Sequence, residues 1–210
     1  MRLSTYLAAC GRLVRRWPGR GLAFLLALAA PVAAAAHPHI WIDATATFVF
    51  AQDRLVAVRQ SWIFDEVFST VIINQFDRDR DRRFDEDELA KLRAGAFASL
   101  KNYSFLTRLT VDGDAVDVPD VADFTAEVVD GRLVYRFTVR LPAAVDAGAR
   151  AVELRVFDES YYIDVALNQA EPVRFEGLSP GACGFAIAEE GADLANFGLT
   201  PIGRITLQCR

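Results

Sequence analysis

The two histidines of this 210-residue chain, His37 and His39, lie in one tripeptide around Pro38. They follow the small-residue run 33–36, where a signal peptidase would cut, so the mature chain is predicted to begin at His37. A free α-amine and two imidazoles, all largely unprotonated at neutral pH, would then lie within three residues. Pro38 has no amide N–H to lose, which excludes the square-planar amide chelate. The sequence therefore predicts a metal-binding terminus, the histidine end (residues 37–39), that binds through the amine and the two rings.

The segment before His37 has the composition of a signal peptide. It contains five arginines and no acidic residue, and its apolar run 22–30 is shorter than the roughly 20 residues that cross a bilayer. We expect a cleaved signal peptide over residues 1–36, then a single periplasmic domain over 37–210 with no transmembrane segment. Cleavage lowers the net charge from −5 to −10. Such an acidic protein attracts cations and is not expected to bind nucleic acid.

Two histidine rings cannot complete a metal site by themselves, and the chain has no third histidine. Carboxylates are then the expected additional ligands. The segment 157–162 is the first candidate source, because Asp158 and Glu159 interrupt an otherwise apolar pair of strands. Asp65 and Glu66, at a strand-to-helix junction, are the second, although acids at a helix start often serve only the helix dipole. We assign the predicted site to His37, His39 and Asp158.

A second candidate site is the acidic loop, residues 77–88. Its carboxylates occupy positions 1, 3, 5, 9 and 12 of a twelve-residue stretch between apolar helical patterns, which is the EF-hand spacing for Ca²⁺. Position 7 would contribute a backbone carbonyl. The predicted ligands are Asp77, Asp79, Asp81, Arg83, Asp85 and Glu88.

One position of the acidic loop departs from the EF-hand pattern. Position 6 is usually glycine, and Arg82 would pay about 1 to 2 kcal/mol to adopt a left-handed conformation. The interleaved arginines could also pair with the acids and weaken the site. An alternative is a solvated loop in which Asp85 caps the second helix and Glu88 completes a capping box. Both interpretations are compatible with the same geometry.

The elements around these residues predict an α+β fold. Residues 39–50 alternate as a half-buried strand, and a second strand is expected over 54–64 after a turn. Helical spacing follows from Asp65 and from Asp85 to about Lys101. After Tyr103 the chain returns to strands, with a hairpin at Asp130-Gly131. We expect an antiparallel β-sandwich-like core with a helical hairpin, residues 65–102, inserted between its second and third strands and carrying the acidic loop.

The cysteines and the missing motifs narrow the function. Cys183 and Cys209 are the two cysteines that survive processing, and in an oxidising compartment they are expected to form a disulfide. No spare histidine serves a Ser or Cys nucleophile, and there is no phosphate loop, so we expect a protein that is not an enzyme. The catalytic alternative is a copper histidine brace, which requires an amino-terminal histidine.

Five segments spread along the mature chain form a recognisable set. They are residues 36–43, residues 62–69, the acidic loop ending in Glu88-Leu89, residues 157–162, and the late cysteines. Together they resemble an uncharacterised bacterial periplasmic family labelled as the periplasmic component of an ABC-type transport system, associated with nickel/cobalt or zinc permeases. The resemblance implies a periplasmic protein that assists metal transport, with His37 and His39 as metal contacts. Arg82 departs from the glycine usual in that family's loop.

The sequence thus predicts a periplasmic accessory protein that binds Zn²⁺, Ni²⁺ or Co²⁺ at its histidine end, with an inner-membrane metal permease as partner. Imidazole suits all three ions. The alternative is a calcium-stabilised β-sandwich interaction module of the cell envelope in which the histidines have no role.

Overall fold

The computed structural model describes residues 40–191 and 199–210, and half of them lie in strands of two sheets. The predicted signal peptide, its cleavage site and the histidine end lie outside these residues. The strands are β1 Ile40–Ala51, β2 Arg54–Phe64, β3 Thr107–Val111, β4 Asp114–Ala115, β5 Ala122–Val129, β6 Arg132–Val145, β7 Val152–Val156, β8 Ile163–Leu167, β9 Val173–Glu176, β10 Cys183–Glu190 and β11 Ile202–Cys209.

The first sheet has β1 near its centre. Its order is β5-β6-β2-β1-β8, and β9 also pairs with β1, along residues that follow those paired with β8. β1 alternates buried and less buried residues, as its sequence predicts, and β2 largely does the same, so that one face packs on the core. The expectation of an antiparallel core is incomplete, because β8 and β9 run parallel to β1. Both strands arrive at β1 after the chain has passed through the second sheet.

The second sheet has the order β10-β11-β7-β3-β4 and is antiparallel throughout. Its buried side chains join those of the first sheet in one hydrophobic cluster, with Leu109, Leu154 and Ile205 from this sheet beside Phe48 and Trp62 from the other. A mostly β protein with two sheets and few helices agrees with the predicted α+β class and with a sandwich-like arrangement.

The helices lie between β2 and β3 in the chain. Helix α1 spans Glu66–Phe76 and helix α2 spans Glu86–Leu92. The sequence predicts a second helix that continues to about Lys101. Instead, the chain forms a π-helical turn over Arg93–Phe97 and 3₁₀ turns over Ala98–Leu106. Gly95 lies in the π turn, where a Cβ would be 3.1 Å from the Phe76 ring. Close packing of this turn on α1 therefore accompanies the change in helix type.

Candidate metal centre

The acidic loop connects α1 to α2, and its first residue is buried. Asp77 is the C-cap of α1, where its N–H donates to the Ile73 carbonyl at 2.9 Å, and it is only 4% exposed. Burial of a carboxylate is costly unless hydrogen bonds or a cation compensate it. The burial of the Asp77 carboxylate therefore lowers the stability of the fold.

Three carboxylates of the acidic loop converge. Asp77, Asp79 and Asp81 each offer one oxygen, and these oxygens all lie within 4.8 Å of one another. One oxygen of Asp77, Oδ2, accepts the Arg82 N–H at 3.0 Å. The other, Oδ1, is buried and has no hydrogen-bond partner among the described residues. A cation among the three carboxylates would compensate this oxygen.

The loop backbone adopts the turn that the missing glycine had placed in question. Arg82, at position 6, has φ 63°, and Arg80 has φ 65°. Asx-type bonds support the turn, since Asp81 N–H donates to Asp79 Oδ1 at 3.2 Å and Arg83 N–H to Asp81 Oδ1 at 2.7 Å. The side chain at position 6 costs energy without preventing the left-handed turn.

The end of the loop forms the capping box that the alternative interpretation predicted. Glu88 N–H donates to Asp85 Oδ1 at 2.8 Å, and Asp85 N–H donates to Glu88 Oε2 at 3.2 Å. Glu88 is 4% exposed, and its Oε1 accepts the Arg78 N–H at 2.6 Å. Asp85 and Glu88 lie outside the cluster of three converging aspartates. Their hydrogen bonds position α2 and the loop backbone.

The arginines of the loop leave its acids free. Arg78, Arg80, Arg82 and Arg83 form no ion pair within the described part of the chain. The predicted weakening of the site by arginine–aspartate pairing is therefore absent from this geometry. The carboxylates instead act on each other: the Asp81 N–H lowers the pKa of Asp79, but desolvation and the charges of Asp81 and Glu88 outweigh it, so this pKa lies above its ordinary value.

The first residues of β1 follow the histidine end directly in the chain. Trp41 exchanges two hydrogen bonds with Asp65, from Trp41 N–H to Asp65 Oδ2 and from Asp65 N–H to the Trp41 carbonyl, both at 3.0 Å. Asp65 also caps α1 by accepting the Phe68 N–H at 2.9 Å. The carboxylate ranked second as a ligand source thus lies beside the start of β1, and it already has a structural role.

Segment 157–162 reaches the same end of the sheet, because Ile40 at the start of β1 is the register partner of Ile163 at the start of β8. Asp158 is 5% exposed and organises this segment. Its oxygens accept the Ser160 N–H at 2.9 Å, the Ser160 hydroxyl at 2.8 Å and the Ile163 N–H at 3.0 Å. Any metal bound by Asp158 would use the lone pairs that these contacts leave.

Asp158 also lines a groove of about 530 Å³ with exposed tyrosines at its rim. Tyr103 and Tyr162 are about half exposed, and Leu100 and Leu106 form part of the apolar wall. Sequence reasoning missed this groove, because Tyr103 comes from the 3₁₀ segment before β3 and Tyr162 from the loop before β8. Only the tertiary fold brings them together.

The predicted disulfide is present in the structure. Cys183 and Cys209 are bonded, and they are register partners at the end of the β10–β11 hairpin. Such a bond is typical of proteins outside the reducing cytosol. Among the described residues, no helix is both long and apolar enough to cross a membrane.

Comparison with known proteins gives a family. A family model described as a protein of unknown function (DUF1007) matches residues 22–195. An uncharacterized 15.5 kDa protein in the trpE 3' region of Spirochaeta aurantia is 31% identical over 99 residues, which cover 47% of this chain and 70% of that protein. Both descriptions are of uncharacterised proteins, and neither mentions transport. This chain belongs to the DUF1007 family of proteins of unknown function.

Proposed function

We propose that this protein is a non-catalytic periplasmic accessory protein that binds divalent metal ions, with a Ca²⁺-type ion in the acidic loop and a transition-metal ion at the histidine end. The observation that carries the proposal is Asp77 Oδ1, a buried oxygen with no described hydrogen-bond partner, in a cluster with Asp79 and Asp81. An oxygen-rich, thiol-free donor set suits a hard cation.

The geometry of the loop supports a weak site. Asp79 and Asp81 are exposed, and Arg82 occupies a conformation that glycine would adopt at lower cost. Extracellular calcium modules bind at about 10⁻⁴ to 10⁻³ M, and we expect an affinity in that range. Calcium here would hold α1 and α2 in fixed relation, a structural role.

Calcium titration of the chelator-treated processed protein, followed by calorimetry and thermal melting, tests the loop. We expect one ion per chain, with about 2.7 kcal/mol of added stability at 100 times the dissociation constant. Asp77→Asn, which keeps the shape but removes the charge, and Asp79→Asn, at an exposed position, should each weaken binding at least tenfold. Asp114→Asn, at an exposed acid on β4, is the matched control. An unchanged melting temperature and no heat on titration would refute calcium binding.

The second part of the proposal is capture of Zn²⁺, Ni²⁺ or Co²⁺ by His37 and His39 and its transfer to a membrane permease. Two described carboxylates support it, because Asp65 and Asp158 both lie at the end of the sheet where β1 begins. Asp158 is our first choice as third ligand. The permease partner rests on the family resemblance of the sequence.

Native mass spectrometry of the protein processed in its own periplasm tests this second part. We expect a chain that begins at His37 and carries one transition-metal ion. The double variant His37→Ala/His39→Ala should lose that ion and keep calcium, whereas Asp79→Asn should show the reverse. A wild-type chain that carries calcium alone would favour the alternative, a calcium-stabilised interaction module whose partner binding survives without the histidines.

A further inference from the structure

A groove beside the acidic loop shares Asp77 with the cation cluster. It has a volume of about 670 Å³ and lies between α1, the acidic loop and the turn of the β5–β6 hairpin. We call it the arginine groove, because Arg80 and Arg82 both line it. Its lining also includes the polar residues Asn74 of α1 and Asp77, and the apolar residue Ile73.

The two arginines of this groove lack acidic partners. Within the described part of the chain neither forms an ion pair. Most other arginines there do: the paired ones are Arg59, Arg108, Arg136, Arg140, Arg150, Arg155, Arg174 and Arg204. The lining of the groove therefore holds two arginines without ion-pair partners and one carboxylate, that of Asp77.

The backbone conformation at Arg80 and Arg82 is unfavourable for a residue with a side chain. Each has a positive φ that an L-residue adopts at a cost of about 1 to 2 kcal/mol, and glycine would avoid that cost. Within the described fold, neither side chain forms an ion pair that would offset this free-energy cost. Residues in sparsely populated backbone conformations cluster at ligand-binding sites.

The chemistry of the groove selects an oxyanion. Guanidinium groups bind carboxylate and phosphate oxygens in a bidentate fashion, and the Asn74 amide can add a further N–H. The volume suits a small molecule rather than a protein segment. Asp77 opposes an anion by its charge, and a cation bound to the acidic loop would neutralise that charge.

We propose that the arginine groove binds a small molecule bearing a carboxylate or phosphate group through Arg80 and Arg82, and that a cation in the acidic loop strengthens this binding by neutralising Asp77. The coupling rests on the proposed cation site, whereas the groove itself does not. By linkage, the anion strengthens cation binding by the same factor.

Calorimetric titration of the processed, chelator-treated protein tests the proposal, with succinate as the carboxylate probe and methylphosphonate as the phosphate-type probe, each with and without calcium. Arg80→Gly and Arg82→Gly remove the side chains and relieve the backbone, so both variants should fold. Each should weaken binding of the preferred probe at least tenfold. Arg78→Gln removes an arginine of the same loop that does not line the groove, and it should bind like wild type.

Calcium should tighten anion binding by about fivefold or more, the lower end of ordinary coupling between sites. No heat with either probe, or equal binding by wild type and the two glycine variants, would overturn the groove. Equal anion affinity with and without calcium, in protein shown to bind calcium, would overturn the coupling. If the anion binds through Arg80 and Arg82 while calcium does not bind at all, the cation proposal fails and the groove stands.

Discussion

Asp77 shows how much one side chain can decide in this protein. Its burial, its unpartnered oxygen and its contact with the Arg82 N–H make it the residue on which the cation site depends. Asp77 belongs both to the cation cluster and to the lining of the arginine groove. Asp77→Asn keeps the shape of the side chain but removes its charge and one oxygen, so we expect it to change both sites.

Gly177 is a second residue with a large effect, here on stability. Its φ is +79°, and a Cβ would lie 2.0 Å from the Phe50 carbonyl oxygen, which belongs to the backbone of β1. We expect Gly177→Ala to lower the free energy of unfolding by about 3 kcal/mol or more, because the backbone must move. Urea unfolding measures it.

Gly113 provides the matched control for that substitution. It has φ +86° but nothing within 4 Å of an added Cβ, so Gly113→Ala should cost only the conformational strain, about 1 kcal/mol. Equal losses for the two variants would show that the contact with Phe50 does not limit residue 177.

Among the elements, the β10–β11 hairpin depends most on a covalent bond. β10 is an edge strand with mostly exposed side chains, so packing stabilises it little. The Cys183–Cys209 bond closes a segment with a sequence separation of 26 residues. The double variant Cys183→Ser/Cys209→Ser should lower the free energy of unfolding by about 3 kcal/mol, and amides of β10 should exchange first.

Reduction of the wild-type protein is the control for that variant. It should give the same loss of stability and the same pattern of hydrogen exchange, since both remove one bond. If β10 amides stay protected in the double variant, the hairpin is held by the ion pairs of Glu190 instead.

For the molecule as a whole, those ion pairs contribute to acid sensitivity. The Arg155 hydrogen bond, with help from Arg204, lowers the pKa of Glu190. Because the folded-state pKa lies below the unfolded one, this contribution is present above about pH 4.3 and is lost as pH falls through the folded pKa. The free energy of unfolding of wild type should therefore fall more steeply in acid than that of Glu190→Gln.

Glu189→Gln is the matched control, since Glu189 is the exposed neighbour in β10. It should follow wild type in urea unfolding between pH 6 and pH 3. Asp79 acts in the opposite sense in ion-free protein, because its raised pKa adds stability that is lost as pH rises. All three proteins share Asp79, so it cancels in the comparison. Identical acid slopes for all three would contradict the assigned role of Glu190.

Sequence patterns predicted local features well and distant ones poorly. Alternation located β1, the strand expected after the following turn is β2, Asp-Gly located the β5–β6 turn, and carboxylate spacing located the acidic loop with its capping box. The end of α2 at Leu92 escaped prediction, because it accompanies packing of Gly95 against Phe76. The parallel pairing of β1 and the arginine groove also escaped, since both depend on segments distant in the chain. The histidine end stays a prediction.

The pairing of β1 also has a kinetic consequence. This strand comes early in the chain, yet its partners on one side, β8 and β9, follow more than 100 residues later. The first sheet cannot close before residue 176 has been synthesised, and such non-local contacts give folding times of milliseconds to seconds. Until then β1 offers an open hydrogen-bonding edge.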